Sequence, residues 1–494
     1  MLALTTIAAT PLALAQSGYR IHGIAAPQVV ANPLAPKLLA QLSNLQNNLK
    51  QRAQSTSLQQ ALEAGLLNNP ELTSAYAQIQ GQQWNLIAVR RQWYPTASAG
   101  SNQYILSQTF RTTTQTSTLP GGDILEYSNS ANVGAIGLAL NWTFFDPSRG
   151  PSINAASESL RQQQLLFNVS ARNLVLQTQD AYFNLQEKQQ LIKAYEEILL
   201  STNRQVAATE AQFNSGLVSI SDVEQIRTQQ YQNLGALINA YRQLIDSAAL
   251  LAQAMALPPG TLALPSEELQ TIGQWDDSLQ NTIDQALKLR EEIQASLAAS
   301  ASASWQATSL FNNYWPRFSA GASGAYGDRY TTVGLPGSSD NTNSRNFTWD
   351  GGVGVGFTWP FFDGGISAAQ AEANKAAARQ AKAQAAIDRL TVTREVESTY
   401  ANYLTSLLAV ETTKAQVQAA RMAVTSVQAR FAVGVTDMAT VVLTLNQSLL
   451  AASDYATALR THNTAIAGLY RSSARWPAGT QSLLEQRVQQ LRQR

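Results

Sequence analysis

The feature that most constrains the fold is an internal repeat centred on a stretch of alternating residues. Residues 134–146 read GAIGLALNWTFFD, and residues 351–363 read GGVGVGFTWPFFD. In both stretches large apolar residues occupy every second position and small or polar residues lie between them, which is the pattern of a β-strand with two different faces. Because the same strand occurs twice, we predict that the chain is an internal duplication.

The other motifs follow in the same order in both halves. Residues 93–95 (WYP) correspond to 314–316 (YWP), and residues 213–216 (FNSG) correspond to 431–434 (FAVG). The offset between copies stays near 220 residues, so the order of elements is kept. We therefore divide the chain into a signal peptide (1–15), an N-terminal segment (16–57), a first repeat (58–257), a linker (258–277), a second repeat (278–473) and a polar C-terminal tail (474–494).

Composition limits the class of protein. Only 14% of the residues are charged and the formal net charge is +1, so no basic face for nucleic acid is predicted. The chain has no cysteine, which excludes disulfides and a lipid anchor on an N-terminal cysteine. Residues 1–15 are apolar and end in small residues as export signals do, but they lack a basic start; an irregular apolar terminus is the alternative.

Each repeat predicts the same series of elements. A proline ends the opening helices, a β-hairpin follows, and then comes a helical tract of some 60 residues, roughly 90 Å long. Gly216 and Gly434 end these tracts as C-cap glycines do. We predict helices near 37–52, from 58, and at 70–93, 152–213, 221–257, 278–315 and 366–431, and a last helix that follows the turn at 432–437 and runs to about 473. Strands are predicted near 96–107, 131–144, 317–330 and 347–359.

The predicted strands are too few to close a sheet in a membrane. Each is long enough to cross a bilayer, which takes about 9–11 tilted residues, but an open edge in lipid leaves N–H and C=O groups unpaired. Single-chain barrels begin at about eight strands, so we expect two or three copies to combine their strands. Aromatic residues at the strand ends fit a membrane-interface girdle, with ordinary core packing as the alternative: Trp93, Tyr94, Trp142, Phe144, Phe145, Trp315, Trp359, Phe361 and Phe362.

With these motifs the chain resembles the outer-membrane efflux proteins of the TolC type. The resemblance covers about residues 58–473 and is carried by LxxAL and NNPEL within 58–72, by FFD at the strand ends and by the FxxG turns. It implies an α+β membrane protein: a homotrimeric 12-stranded transmembrane β-barrel, with four strands per chain, that continues from the outer membrane into a long periplasmic α-helical barrel. The linker and both chain ends would form an equatorial belt around the helices.

The resemblance also implies a function and partners. Members of this family are passive exit ducts of tripartite efflux or type I secretion systems. The implied partners are further copies of the chain, a periplasmic adaptor (membrane fusion) protein, an inner-membrane pump of the ABC, RND or MFS type, and outer-membrane lipid. The FxxG turns would lie at the periplasmic tip, with adaptor contacts at Phe213, Gly216, Leu217, Phe431, Gly434 and Val435.

The residues after each turn are candidates for a pore constriction. Asp222 lies in a stretch (221–224) with the form of a capping box and is a candidate gate tether; an acid that complements the helix dipole is the alternative. In the second repeat, residues 439–443 (ATVVL) lack the acids of the family's V-D-V-L-D pattern. We therefore expect a neutral or apolar constriction lined by Thr440 and Leu443, with Asp437 nearer the rim, that closes by dewetting.

No enzymatic activity, cofactor or metal site is predicted. His22 and His462 lack metal-ligand spacing, and neither a GxSxG elbow nor a P-loop occurs. The acid pairs at 196–197 and 291–292 are interpreted as solvated helix faces. Two alternatives to the duct remain: an oligomeric helical-rod scaffold, which leaves the strands unexplained, and a stand-alone porin, which needs no long helices. The exported substrate and the pump class stay open.

Overall fold

The computed structural model describes residues 34–101, 107–115, 125–334 and 341–493. The predicted signal peptide (1–15) and the start of the N-terminal segment (16–33) lie outside these described residues, as do parts of the predicted hairpin loops. Helices dominate the described chain, together with one large sheet and one short two-stranded sheet. Among the described helices, none combines the length and the apolar character needed to span a membrane.

The helices follow the same order in both repeats. Their bounds are α1 Leu34–Arg52, α2 Leu58–Asn68, α3 Pro70–Arg91, α4 Arg149–Asn214, α5 Ile220–Ala254, α6 Leu279–Leu289, α7 Glu291–Phe311, α8 Ile366–Ala432, α9 Met438–Ser472 and α10 Thr480–Gln493. The longest, α4 and α8, have 66 and 67 residues. Local chemistry starts α2 and α3: Ser57 and Gln60 form a capping box, and Asn69 caps a helix whose first residue is Pro70.

Five of the described strands form one large antiparallel sheet and two form a short one. Their bounds are β1 Ala53–Thr56, β2 Thr96–Ser101, β3 Ser107–Gln115, β4 Leu125–Phe145, β5 Leu262–Pro265, β6 Arg317–Gly334 and β7 Asn341–Thr358. In the large sheet β2 and β3 both pair with β4, β4 pairs with β6, and β6 pairs with β7. The two predicted hairpins therefore lie side by side, joined along β4 and β6. The short sheet consists of β1 and β5.

The register gives the large sheet two different faces. Leu138 lies opposite Gly324, and Leu140 lies opposite Ala322, which in turn lies opposite Val353. Cross-strand partners share a face, so the apolar residues of β4 and β7 collect on one side while their small neighbours face the other. The apolar side is strongly exposed in the single chain; Val353 and Val355 keep 87% and 80% of their surface.

The chain divides into two compact units, each with its own apolar core. The first unit comprises the described part of 1–53 with 187–246 and 411–457, and its core contains Val206, Ile226, Phe431, Met438, Val441 and Leu445. The second unit comprises 54–186, 247–410 and the described part of 458–494, and it holds the large sheet. Its main cluster packs α2, α3 and α4 with α10, through residues that include Leu66, Leu72, Phe167 and Leu484.

The opening of the second repeat differs from the prediction of one helix over 278–315. Arg290 interrupts it with extended backbone (φ −62°, ψ 119°), so α6 ends and α7 begins there. Asn69 has nearly the same geometry between α2 and α3 (φ −65°, ψ 128°). The break thus recurs without a proline, because the Arg290 guanidinium binds Glu292 and Glu395 and holds this backbone in place.

Further elements depart from the predicted bounds. The strands expected at 131–144, 317–330 and 347–359 are longer, since β4 begins at Leu125, β6 ends at Gly334 and β7 begins at Asn341. The linker contains β5, which pairs with β1 of the N-terminal segment. The tail after Pro477 is not merely polar: α10 places Leu484 and Leu491 in the core of the second unit. The apolar stripe of α10 is short and the remaining residues of the helix are mostly charged or amide residues, so the sequence pattern did not indicate it.

Candidate functional site

Each repeat joins its sheet to its helices through a tryptophan. The indole Nε1–H of Trp142 donates to the carbonyl oxygen of Trp93 at 2.8 Å, and that of Trp359 donates to the carbonyl oxygen of Tyr314 at 2.9 Å. Both acceptors lie just after the helix that precedes the hairpin. Each bond therefore ties the end of the hairpin's second strand to the end of that helix, which fixes the strand–helix junction.

The aspartate of each FFD motif organises the turn after the hairpin. Asp363 accepts hydrogen bonds from the hydroxyl of Tyr314 (2.7 Å) and from the backbone N–H groups of Gly365 and Ser367 (2.9 Å each). The bond from Tyr314, together with those from Ser367, holds the pKa of Asp363 well below its usual range. The same bond raises the pKa of Tyr314. Residue 146 plays the corresponding part in the first repeat, where it accepts from the N–H of Ser148.

The aromatic residues predicted for a membrane-interface girdle lie around these junctions. All nine are exposed in the single chain: Trp93, Tyr94, Trp142, Phe144, Phe145, Trp315, Trp359, Phe361 and Phe362. Phe318, which the sequence analysis missed, lies among them; its ring centroid is 6.4 Å from that of Phe144 and 5.8 Å from that of Phe145. Phe318 lies opposite Phe145 of β4 in the sheet register. Its membership of this aromatic group depends on strand pairing, which the sequence pattern alone does not reveal.

The two FxxG turns have the same backbone geometry. The N–H of Gly216 donates to Phe213 O and that of Leu217 donates to Gln212 O, both at 2.9 Å. In the second repeat the N–H of the turn glycine donates to residue 431 O and that of the next residue donates to 430 O, again at 2.9 Å. This is the Schellman pattern, and it requires the positive φ that Gly216 and Gly434 have (73° and 76°).

The helices after the turns are capped by acids in different positions. In the first repeat the carboxylate of Asp222 accepts from the N–H of Ser219 (2.9 Å), while the N–H of Asp222 donates to the Ser219 hydroxyl (3.3 Å). The capping box therefore runs from Ser219 to Asp222, and its prediction over 221–224 was wrong by two residues. In the second repeat Asp437 itself is the cap and accepts from the N–H of Thr440 (2.9 Å).

The cap also favours the ionised form of Asp437. Hydrogen bonds from the hydroxyl and the N–H of Thr440 lower the pKa of Asp437. The Asp437 carboxylate is exposed and stays ionised at neutral pH. Leu443, three residues after Thr440 on α9, exposes 58% of its surface.

The predicted tip residues do not all face outward. Leu217 and Val435 are 75% and 63% exposed, and Gly216 and Gly434 are exposed beside them. Phe213 is half-buried, while Phe431 is only 6% exposed and lies in the core of the first unit. The Phe431 ring thus supports its turn from inside, because Val206, Ile226 and Met438 enclose it.

A buried charge network in the second unit corrects one interpretation of the sequence. Glu291 is not on a solvated face: it is 7% exposed and forms a bidentate pair with Arg172 at 3.0–3.1 Å. Its neighbour Glu292 binds Arg290 and Arg471. Burial opposes the ionisation of Glu292, but these two guanidinium groups outweigh it and lower its pKa. The pair 196–197 is exposed, as interpreted.

These features define a class of protein. Long antiparallel strands with an exposed apolar face and aromatic residues at their ends are typical of outer-membrane β-barrel proteins, and this chain adds helices of more than 60 residues. The chain belongs to the outer membrane efflux protein family, whose model matches residues 61–257 and 282–475. The two matched segments correspond to the two repeats, and the match confirms the resemblance found in the sequence.

Individual proteins agree with this assignment. The chain is 23% identical over 389 residues to the outer membrane protein TolC of Escherichia coli (strain K12), covering 77% of this chain and 75% of TolC. It is 24% identical over 379 residues to the outer membrane efflux protein BepC of Brucella suis biovar 1 (strain 1330), covering 76% of each. The fold is similar to that of the Campylobacter jejuni CmeC outer membrane channel (TM-score 0.68, 15% identity, 87% of this chain and 89% of CmeC).

A second solved structure gives the same result. The outer-membrane channel OprN has a TM-score of 0.66 at 18% identity and is matched over 93% of its chain and 85% of this one. The family consists of channel proteins rather than enzymes, and it locates this chain in the outer membrane.

Proposed function

We propose that this protein is the passive exit duct of a tripartite efflux or type I secretion system. In this proposal it spans the outer membrane, extends into the periplasm, and is coupled to an inner-membrane ABC, RND or MFS pump through a periplasmic adaptor. The observation that supports the proposal most directly is the large sheet. Within the described chain its outer strands, β2 with β3 on one side and β7 on the other, have no further strand to pair with.

The open edges argue for three copies of the chain. An edge strand in lipid leaves a row of backbone groups without partners, at several kcal/mol for each group. The sheet has four strand positions, since β2 and β3 pair with successive parts of β4. Three chains would close a barrel of about twelve strands, the number that the family resemblance implies. The exposed apolar face would then contact lipid and the small residues would line the lumen.

Disulfide crosslinking between sheet edges tests the trimer. The natural chain has no cysteine, so Ser98→Cys on β2, which the register places on the same face as the glycines of β7, can be combined in turn with Gly352→Cys, Gly354→Cys and Gly356→Cys. We expect at least one pair to give a band at three times the monomer mass under non-reducing denaturing conditions, and each single variant to give none. Crosslinks that stop at the dimer, or that form only within one chain, would contradict a closed trimer.

The tip turns are the proposed adaptor contact. Leu217 and Val435 are apolar and exposed in equivalent positions of the two turns, whereas Phe431 supports its turn from behind. A photo-crosslinking residue at 217 or 435 is expected to capture the adaptor in intact cells. The same residue at position 390, which is 73% exposed on α8, is the control that should capture none. Equal capture at 390 would reject the tip as the contact.

The proposed constriction lies next to the second turn. Leu443 and Thr440 would line it and close it by dewetting, with the ionised Asp437 at its rim and Asp222 as a tether in the first repeat. Single-channel recording in planar bilayers tests this arrangement. We expect Leu443→Ser to raise the conductance and divalent cations to block weakly; strong divalent block that is lost in Asp437→Ala would indicate an acidic gate instead.

A further inference from the structure

A small cavity lies in the second unit, between α4, the end of α9 and the segment that leads to α10. Its volume is about 10 Å³, close to what a single water-sized particle needs. Three of its lining residues are arginines (Arg172, Arg471 and Arg475), and Gln179 is its other ionic or amide side chain. The rest of the wall is largely apolar and includes Trp476, which stacks on the Arg172 guanidinium at 4.1 Å.

Three polar atoms of this wall have no hydrogen-bond partner. They are Nη1 of Arg172, Nη1 of Arg471 and Oε1 of Gln179. Arg172 and Gln179 are 7% and 4% exposed, so bulk water does not reach them. A buried donor without a partner costs about 1–3 kcal/mol, and more when it carries charge. Such groups therefore point to a ligand inside the cavity.

The other nitrogens of the two guanidinium groups are already used. Arg172 holds Glu291 through Nε and Nη2. Arg471 holds the Asn173 side chain through Nε and Glu292 through Nη2. The carboxylates thus lie on the outer sides of the arginines, and no acid is among the residues that line the cavity. The cavity wall is positive on one side and apolar on the other.

The positive charges of Arg172 and Arg471 also favour a bound anion. Burial has the largest effect and lowers the pKa of Arg172; Glu291 opposes the change, and the nearby charge of Arg471 adds a smaller effect that also lowers it. Two like charges that face one enclosed space repel each other unless an anion lies between them. No acidic side chain lines the cavity to hold a cation. A phosphate or sulfate is several times too large for this volume, whereas a monatomic anion, slightly larger than a water molecule, needs only a small outward shift of the two guanidinium groups.

We propose that the cavity binds one monatomic anion, chloride in the cell, between Nη1 of Arg172 and Nη1 of Arg471. The Gln179 amide rotates so that its Nε2–H donates to the ion. The rotation costs no hydrogen bond at Oε1, because that oxygen has no partner. The anion links α4 of the first repeat to the end of α9 in the second. It thereby fixes the segment that carries α10 onto its site.

Bromide replacement tests the proposal on the full-length protein. Crystals grown in sodium bromide are expected to give an anomalous peak between the two Nη1 atoms. The melting temperature should rise with the logarithm of chloride or bromide concentration, and gluconate at equal ionic strength should give no such rise. A cavity that holds only water would give no peak and equal melting temperatures in chloride and gluconate, which would overturn the proposal.

Replacing Gln179 by glutamate tests whether the anion binds in this cavity. Gln179→Glu keeps the side-chain shape and supplies the negative charge covalently, so it should remove the bromide peak and make the melting temperature independent of halide. Gln177→Glu introduces the same charge at an exposed position of α4, two residues away, and should leave both readouts as in the wild type. A peak that persists unchanged in Gln179→Glu would reject the assigned site.

Discussion

Replacing the turn glycines by alanine isolates the backbone strain of the tip. Gly216 and Gly434 have φ of 73° and 76°, and a Cβ added at either position meets no atom within 4 Å. Gly434→Ala and Gly216→Ala therefore introduce no steric clash. Each variant places an L-residue in the left-handed backbone conformation and leaves the hydrogen bonds of the turn intact.

The expected magnitude is modest. An L-residue in the left-handed conformation costs about 1–2 kcal/mol, and alanine recovers roughly 0.4–1 kcal/mol by restricting the unfolded chain. The net loss is about 1 kcal/mol, or roughly a fivefold increase in local opening. The fold itself indicates that such a residue is tolerated, because Ala256 and Ala474 end α5 and α9 with φ of 53° and 59°.

Hydrogen exchange of the turn amides is the appropriate assay. The N–H groups of Leu217 and Val435 donate within the turns, to Gln212 and Arg430. Mass spectrometry of tip peptides in detergent should show exchange about fivefold faster in each alanine variant.

A second glycine of the same unit provides the matched control. Gly235 lies inside α5 with open space around its Cα and no positive φ. Gly235→Ala should slow local exchange, because alanine is favoured over glycine in a helix interior by about 0.5–1 kcal/mol. If Gly434→Ala and Gly235→Ala changed exchange in the same direction, the strain argument would be refuted.

Two further predictions concern the second unit. The pKa of Asp363 is lower in the folded protein than in the unfolded chain, so its contribution to stability is complete above pH about 4 and declines as the pH falls further. Asp363→Asn should therefore remove this loss of stability at acid pH from thermal unfolding curves. A variant whose melting temperature falls with acid pH as in the wild type would contradict the assignment. Gly468→Ala would bring a Cβ within 2.9 Å of Thr399 Cγ2 and should destabilise by about 1–3 kcal/mol. Thr399→Ser removes that methyl group but keeps the hydroxyl that bonds Glu395 O, so the double variant should recover most of the loss; failure to recover would place the crowding elsewhere.

The sequence predicted the local elements well where one residue type controls the backbone. Strict alternation located the strands that precede the aspartates of the FFD motifs, and the turn glycines located the ends of α4 and α8 to within two residues. It failed at Arg290, where a tertiary ion pair rather than a proline breaks the helix, and at α10, whose apolar stripe is short. In both cases the stabilising contact comes from a distant part of the chain.

The sequence by itself determined the duplication, the order of helices and strands, and membership of the outer-membrane efflux family, because these depend on spacing and on residue types along the chain. Only the tertiary structure decided that Phe431 faces a core, that Glu291 is buried against Arg172, and that three unpaired polar atoms share one cavity. The reason is physical: burial and charge pairing join residues more than a hundred positions apart, and periodicity carries no record of such partners.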